Sequence, residues 1–198
     1  MATTNKHDAY PISTFKDSKA LETWMKKNHG KAEGLWVKIA KASTGIKSIT
    51  HSDALDLALC YGWIDGLRRG LDDQYFLQKF TPRTSSSTWS VINQQKVAKL
   101  IKEGRMQPGG LAAIEAAKKN GRWEAAYKSQ KTIEIPTDLQ ESLDNNKKAK
   151  TFFSKLSSQN RYAILFRIGQ VKRPETRARK IEEFVKMLQE NKTIYPQK

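Results

Sequence analysis

Cys60, the chain's single cysteine, and Asp65 stand five residues apart in the segment CYGWIDG, and they are the first side chains with reactive chemistry to weigh. A cysteine nucleophile acts as its thiolate, so it needs a helix N-terminus, a histidine or another cation to lower its pKa. The preceding run ALDLALC puts Cys60 near the C-terminal end of a helix, where the macrodipole raises a thiol pKa. It therefore reads as a small buried hydrophobe. Asp65, framed by Gly62 and Gly66, has the chemistry of a general acid or base. The segment holds no histidine to partner it, which favours a carboxylate capping backbone amides as the chain turns into a strand. CYGWIDG is thus expected to be a structural joint.

FTPRTSSSTWS offers anion chemistry instead. Arg83 precedes a run of hydroxyl residues just ahead of a helix, and backbone amides at a helix start together with a guanidinium make an anion site. Trp89 can stack a ring there, and Asp65, Trp89 and Asn93 are grouped with Arg83 as a possible cleft. N-capping by Ser87 or Thr88, with Trp89 in the core, accounts for the same residues without a ligand. The densest charge lies in residues 161–180, with seven cations against Glu175, a local balance of +6. At helical spacing Arg173, Arg177 and Lys180 share one face, which either binds phosphate or is solvated. Tyr162 and Phe166 read as core rather than as a stacking platform for nucleic acid. His7, His29 and His51 show no metal-ligand spacing, and the chain has no HExxH, GxSxG, P-loop or GxGxxG pattern. No catalytic residue, metal site or cofactor is assigned.

Short elements must position these groups. DSKALETWMKKNHG opens with Asp17 or Ser18 as a cap and places Leu21, Trp24 and Met25 at helical spacing. LWVKIAKA alternates as a strand, and Thr50 to Asp53 starts the helix that carries Cys60. WIDGLRR and QYFLQKF form a hairpin, followed by a helix whose buried side includes Trp89, Asn93, Val97, Leu100 and Ile101. Beyond it the pattern is helical throughout, with a capping box at Pro136, Thr137 and Gln140 and a final helix striped by Ala178, Ile181, Val185 and Leu188. The predicted fold is α+β: a small antiparallel sheet flanked by helices, then an all-helical part. The expected division is a flexible lead over 1–14, an α+β domain over 15–130 and a helical module over 131–195, the last two packed as one body.

With 198 residues and 38% hydrophobic content the chain can bury a core. A single cysteine excludes an internal disulfide, which fits a reducing compartment. No apolar run is long enough for a membrane span, and MATTNKHDAY lacks the features of an export signal, so a cytoplasmic location is expected. The formal charge of +16 favours anionic partners, a phosphate-bearing metabolite or nucleic acid.

ALCYGWIDG, FTPRTSSSTWSVIN, EGRMQPGGLAAIEAAKKNGRW and AKTFFSKLSSQNRYAILFRIGQVKRPETRARKIEEFVKML together resemble the bacterial YdeI/OmpD-associated, or bacteriocin-protection, family. The resemblance runs from about Phe15 to Tyr195. Its N-terminal part is similar to the YjbR/CyaY-like fold, an antiparallel sheet flanked by helices. The family label implies tolerance of bacteriocins or antimicrobial peptides, association with an outer-membrane porin, and the periplasm. It implies no catalytic residue. The expectation is therefore a stress-protection protein that binds an anionic ligand rather than a catalyst. The alternatives are an enzyme with its site near Asp65, Arg83 and Trp89, a nucleic-acid-binding protein, or an interaction module.

Overall fold

A computed structural model describes residues 10–130 and 132–197 of the chain. The chain divides into two compact units, Met1–Ala126 and Tyr127–Lys198. The fold is α+β, with one four-stranded sheet in the first unit. The second unit's regular elements are helices.

The sheet comprises β1 (Ile12–Thr14), β2 (Leu35–Ala40), β3 (Trp63–Gly70) and β4 (Tyr75–Pro82), in the order β1-β2-β4-β3. β4 pairs antiparallel with both β2 and β3, as the alternating patterns require, but β1 pairs parallel with β2. The sheet is therefore mixed rather than purely antiparallel. Residues 12–14 fall in the stretch read as a flexible lead because three residues are too few to display an alternation. Their register is set from outside, by the pairing of Ile12 with Trp36 and by Trp36 N–H donating to Pro11 O at 2.9 Å. Residues 1–9 of that lead, His7 included, lie outside the described residues.

The β3–β4 ladder slips between Asp65 and Arg68. Such a slip leaves backbone carbonyls without ladder partners, and Gln78 repairs it. Its buried Nε2 donates to Gly66 O at 3.0 Å and Leu67 O at 3.3 Å, while its Oε1 accepts from Arg68 Nε at 3.0 Å.

Leu35, Val37 and Ile39 of β2 and Phe80 of β4 share a core with α1 (Ser18–Asn28) and α2 (His51–Cys60). Asp17 caps α1 by accepting from Ala20 N–H at 2.8 Å, and Thr50 caps α2 by accepting from Asp53 N–H at 3.1 Å. Trp24 stands edge-on to Trp63 at 5.8 Å, and the indole of Trp63 donates to His29 O at 3.1 Å. Two further helices complete the unit, α3 (Val91–Lys102) and α4 (Pro108–Lys119). Ser90, rather than Ser87 or Thr88, caps α3. Its buried stripe is Asn93, Val97 and Leu100, whereas Ile101, expected inside, is 49% exposed. Eight residues along a helix of 3.6 per turn put Ile101 about 80° round the axis from Asn93, past the edge of the stripe.

CYGWIDG is a joint. Gly62 takes a left-handed φ of 77°, and a Cβ on it would lie 2.5 Å from Gly109 O. A Cβ on Gly110 would overlap Cys60 O, and Gln107 N–H donates to that same carbonyl at 3.0 Å. The end of α2 therefore meets the start of α4 backbone to backbone. Cys60 is buried beneath this contact, and burial pushes its thiol up to about 11, which disfavours the reactive thiolate.

In the second unit α5 (Thr137–Asp144), α6 (Lys147–Ser154), α7 (Ser158–Gly169) and α8 (Pro174–Gln189) enclose Leu139, Leu143, Phe153, Ile164, Ile181 and Leu188. The capping box expected at Pro136 does not form; α5 starts without a side-chain cap. Asn160, 1% exposed, ties α7 to the C-terminal segment by donating to Tyr195 O at 3.0 Å and accepting from Tyr195 N–H at 2.9 Å.

Candidate functional site

The loop after β4 and the end of α4 come together around Arg83. Arg83 N–H donates to Gly62 O at 2.9 Å, which carries the joint's geometry directly into this loop. The guanidinium lies over the Trp89 ring, 3.6 Å from its centroid, and Nη1 donates to Thr88 O at 3.0 Å. Trp89, 2% exposed, stands edge-on to Trp123 at 4.8 Å, so the stacking surface is itself fixed by core packing. The hydroxyl run folds into a tight turn: Thr84 N–H donates to Ser87 Oγ at 2.9 Å, and Thr84 Oγ1 is 2.9 Å from Ser86 Oγ. Asn120, at the end of α4, donates to Ser85 O at 2.9 Å and accepts from Arg122 N–H at 3.1 Å.

These contacts enclose a cavity of about 110 Å³, lined among others by Arg83, Thr84, Ser87, Trp89, Asn120 and Arg122. Among the described residues two arginines line it and no carboxylate does. Arg122 had not been singled out. It sits in NGRW, just past a glycine helix stop, and an arginine beside a core tryptophan at such a stop is the signal that would have found it.

The other sequence candidates lie elsewhere. Asn93 is buried in the α3 stripe. Asp65 does not line the Arg83 cavity, and its carboxylate meets His51, whose Nε2 is 3.2 Å from Asp65 Oδ2. The histidine absent from CYGWIDG is supplied from 14 residues upstream, by the first turn of α2.

On α8, Arg177 is spent on structure. Its Nε and Nη2 grip Asp138 at 2.6 and 3.0 Å, and its Nη1 donates to Ile168 O at 2.8 Å. That guanidinium holds the Asp138 carboxyl below its ordinary value. Lys180 pairs with Glu183 at 2.5 Å and likewise holds that carboxyl down. Arg173, at the start of α8, is exposed. No described helix is long and apolar enough to cross a membrane.

Residues 13–113 match the family described as domain of unknown function DUF8412. The chain belongs to that family. Residues 132–191 match the bacteriocin-protection, YdeI or OmpD-associated family, which makes the second unit the carrier of the resemblance seen in the sequence. The YjbR/CyaY-like expectation for the N-terminal part is replaced by the DUF8412 match, because a small sheet with flanking helices is an architecture many unrelated domains share. No curated protein and no solved structure matches the chain.

Proposed function

We propose that this YdeI/OmpD-associated protein acts by binding a phosphate-bearing anion in the Arg83–Arg122 cavity, in a tolerance role of the kind its family description names. The observation that carries this reading is the pairing of two arginines with a rim of hydroxyl and amide groups in a cavity that no carboxylate lines. Guanidinium groups match phosphate oxygens in fork geometry, and hydroxyls complete the shell without neutralising the charge. A cavity of about 110 Å³ accepts a phosphate group and leaves the remainder of the molecule outside, so the site reads the head group and not the body.

Isothermal titration with inorganic phosphate, a phosphomonoester and a short DNA duplex tests the reading. Phosphate and the monoester are expected to bind at low salt, and Arg122→Gln to weaken both at least tenfold. A duplex that binds while the small phosphates do not would favour the nucleic-acid reading, and no binding of either at low salt removes the proposal.

A second reading has its own observation. Between α5 and α8 lies a groove of about 650 Å³ with Glu141, Glu182 and the Arg177-bound Asp138 beside Pro174, Ile181 and Val185. Acidic groups along an apolar floor suit a cationic amphipathic peptide. The chain's formal charge of +16 opposes such a peptide at long range, so capture would be salt-favoured, the reverse of phosphate binding. Fluorescence anisotropy of a labelled cationic helical peptide, repeated with Glu141→Gln/Glu182→Gln, distinguishes the two.

A further inference from the structure

A second cavity, of about 400 Å³, opens in the first unit where the 41–50 segment crosses the end of the sheet. Its walls include Ile39, Ile49 and Phe76, and its cationic groups are Lys41, Lys47 and Arg68. Among the described residues no carboxylate lines it. His51 lines it too, while Asp65, 3.2 Å from the ring's Nε2, does not. The arrangement is therefore carboxylate, imidazole, cavity. A carboxylate accepts hydrogen bonds and cannot donate, so Nε2 bears the proton shared with Asp65, and the ring's second nitrogen, Nδ1, is the one that exchanges a proton.

The neighbouring hydroxyls are committed to backbone and caps. Ser48 Oγ accepts from Ala40 N–H at 3.0 Å and donates to Ile49 O at 3.1 Å, and Thr50 Oγ1 is held by Asp53. This leaves no hydroxyl poised as a nucleophile beside His51, so the dyad's proton chemistry is directed at what occupies the cavity. Arg68 is anchored by Gln78 and lies over Phe76 at 4.4 Å, which joins the cationic edge to the apolar wall.

We infer that this cavity is a second ligand site, for an anion with an apolar body, in which His51 held by Asp65 takes up a proton from solvent as the anion binds. Asp65 from β3 meets the imidazole, and the charged groups that line the cavity with it are Arg68 from β3 and Lys41 and Lys47 from the 41–50 segment. On its own helix Asp53 is engaged by Thr50, and from α3 Lys96 is held by Asp56 at 2.6 Å. A bound anion beside the ring favours the imidazolium over the neutral imidazole. Anion binding and protonation of His51 are therefore linked, and each strengthens the other.

Toluenesulfonate is the probe, since its charge is constant between pH 5 and 8. NMR titration is expected to shift His51, Ile49 and Phe76 resonances, and affinity to rise about tenfold from pH 8 to pH 5.5. His51→Gln should abolish the pH dependence, Lys41→Ala should weaken binding at every pH, and Arg122→Gln should leave it unchanged. Should His51→Gln unfold, the His51 titration in the unmodified protein still decides. A flat affinity from pH 5.5 to 8, a His51 pKa indifferent to the ligand, or no binding at all would overturn the inference. Because Arg122 takes no part, failure here leaves the phosphate reading standing, and the reverse.

Discussion

In the first unit two of the cations beside the cavities lie over aromatic rings, Arg83 on Trp89 at 3.6 Å and Arg68 on Phe76 at 4.4 Å, whereas on α8 Arg177 meets Asp138 and Lys180 meets Glu183. A ring positions a cation and leaves its charge in place; a carboxylate cancels it. In the segment with the highest formal charge, Arg177 is thus spent on holding helices together. Arg83, after β4, and Arg122, 39 residues later, line one cavity of the first unit.

The contrast can be attacked from both sides. The largest effect belongs to the joint that feeds the Arg83 loop: Gly110→Ala drives a methyl into the Cys60 carbonyl, and thermal or urea unfolding should show a loss of about 3 kcal/mol or more. A fully stable Gly110→Ala variant would mean the contact is not tight and that the loop is placed by something else. Next comes the Arg177 clamp. Arg177→Ala removes a two-point grip and a carbonyl contact, and the unfolding free energy should fall by about 1 kcal/mol with the Arg83 site's phosphate affinity unaltered.

Acid provides a graded version of the same test. Asp138, beside Arg177, has its folded pKa depressed below the ordinary 3.8, so its stabilisation is present above that value and is lost as pH falls through the folded one. Asp144, Glu183 and Glu190 are depressed in the same direction by Lys150, Lys180 and Lys192, and all four belong to the second unit. Hydrogen exchange followed below about pH 4 should show α8 losing protection, and the loss should be smaller in Arg177→Ala. The smallest effect is Lys180→Ala, an exposed i,i+3 pair whose removal should leave the unfolding midpoint unchanged within error.

How much of this was legible in the chain depends on range. Asp17 and Thr50 announced their helices because a cap acts over three residues, and LWVKIA announced its strand by alternation. β1 was silent, since its three residues take their conformation from β2. The Asp65–His51 pair was hidden for a related reason: the turn from α2 into β3 folds a helix start back onto a strand, and no local pattern encodes that return. Residues 161–180 misled in the opposite direction. Their cationic excess is real, but the carboxylate that answers Arg177 lies 39 residues upstream in α5. Arg83 stands out in the sequence by its hydroxyl-rich neighbours, whereas Arg122, which lines the same cavity, does not, because a helix stop looks like punctuation.

Phosphate titration of paired variants reaches the centre of the account most directly. Calorimetry at low salt on the unmodified protein, on Arg122→Gln, and on Arg173→Gln/Lys180→Gln compares the two units, the α8 arm losing two charges against one in the Arg122 arm. The account predicts that Arg122→Gln loses at least tenfold in affinity while the α8 double variant stays within about twofold. Loss of binding in the α8 variant, with Arg122→Gln unaffected, would contradict it.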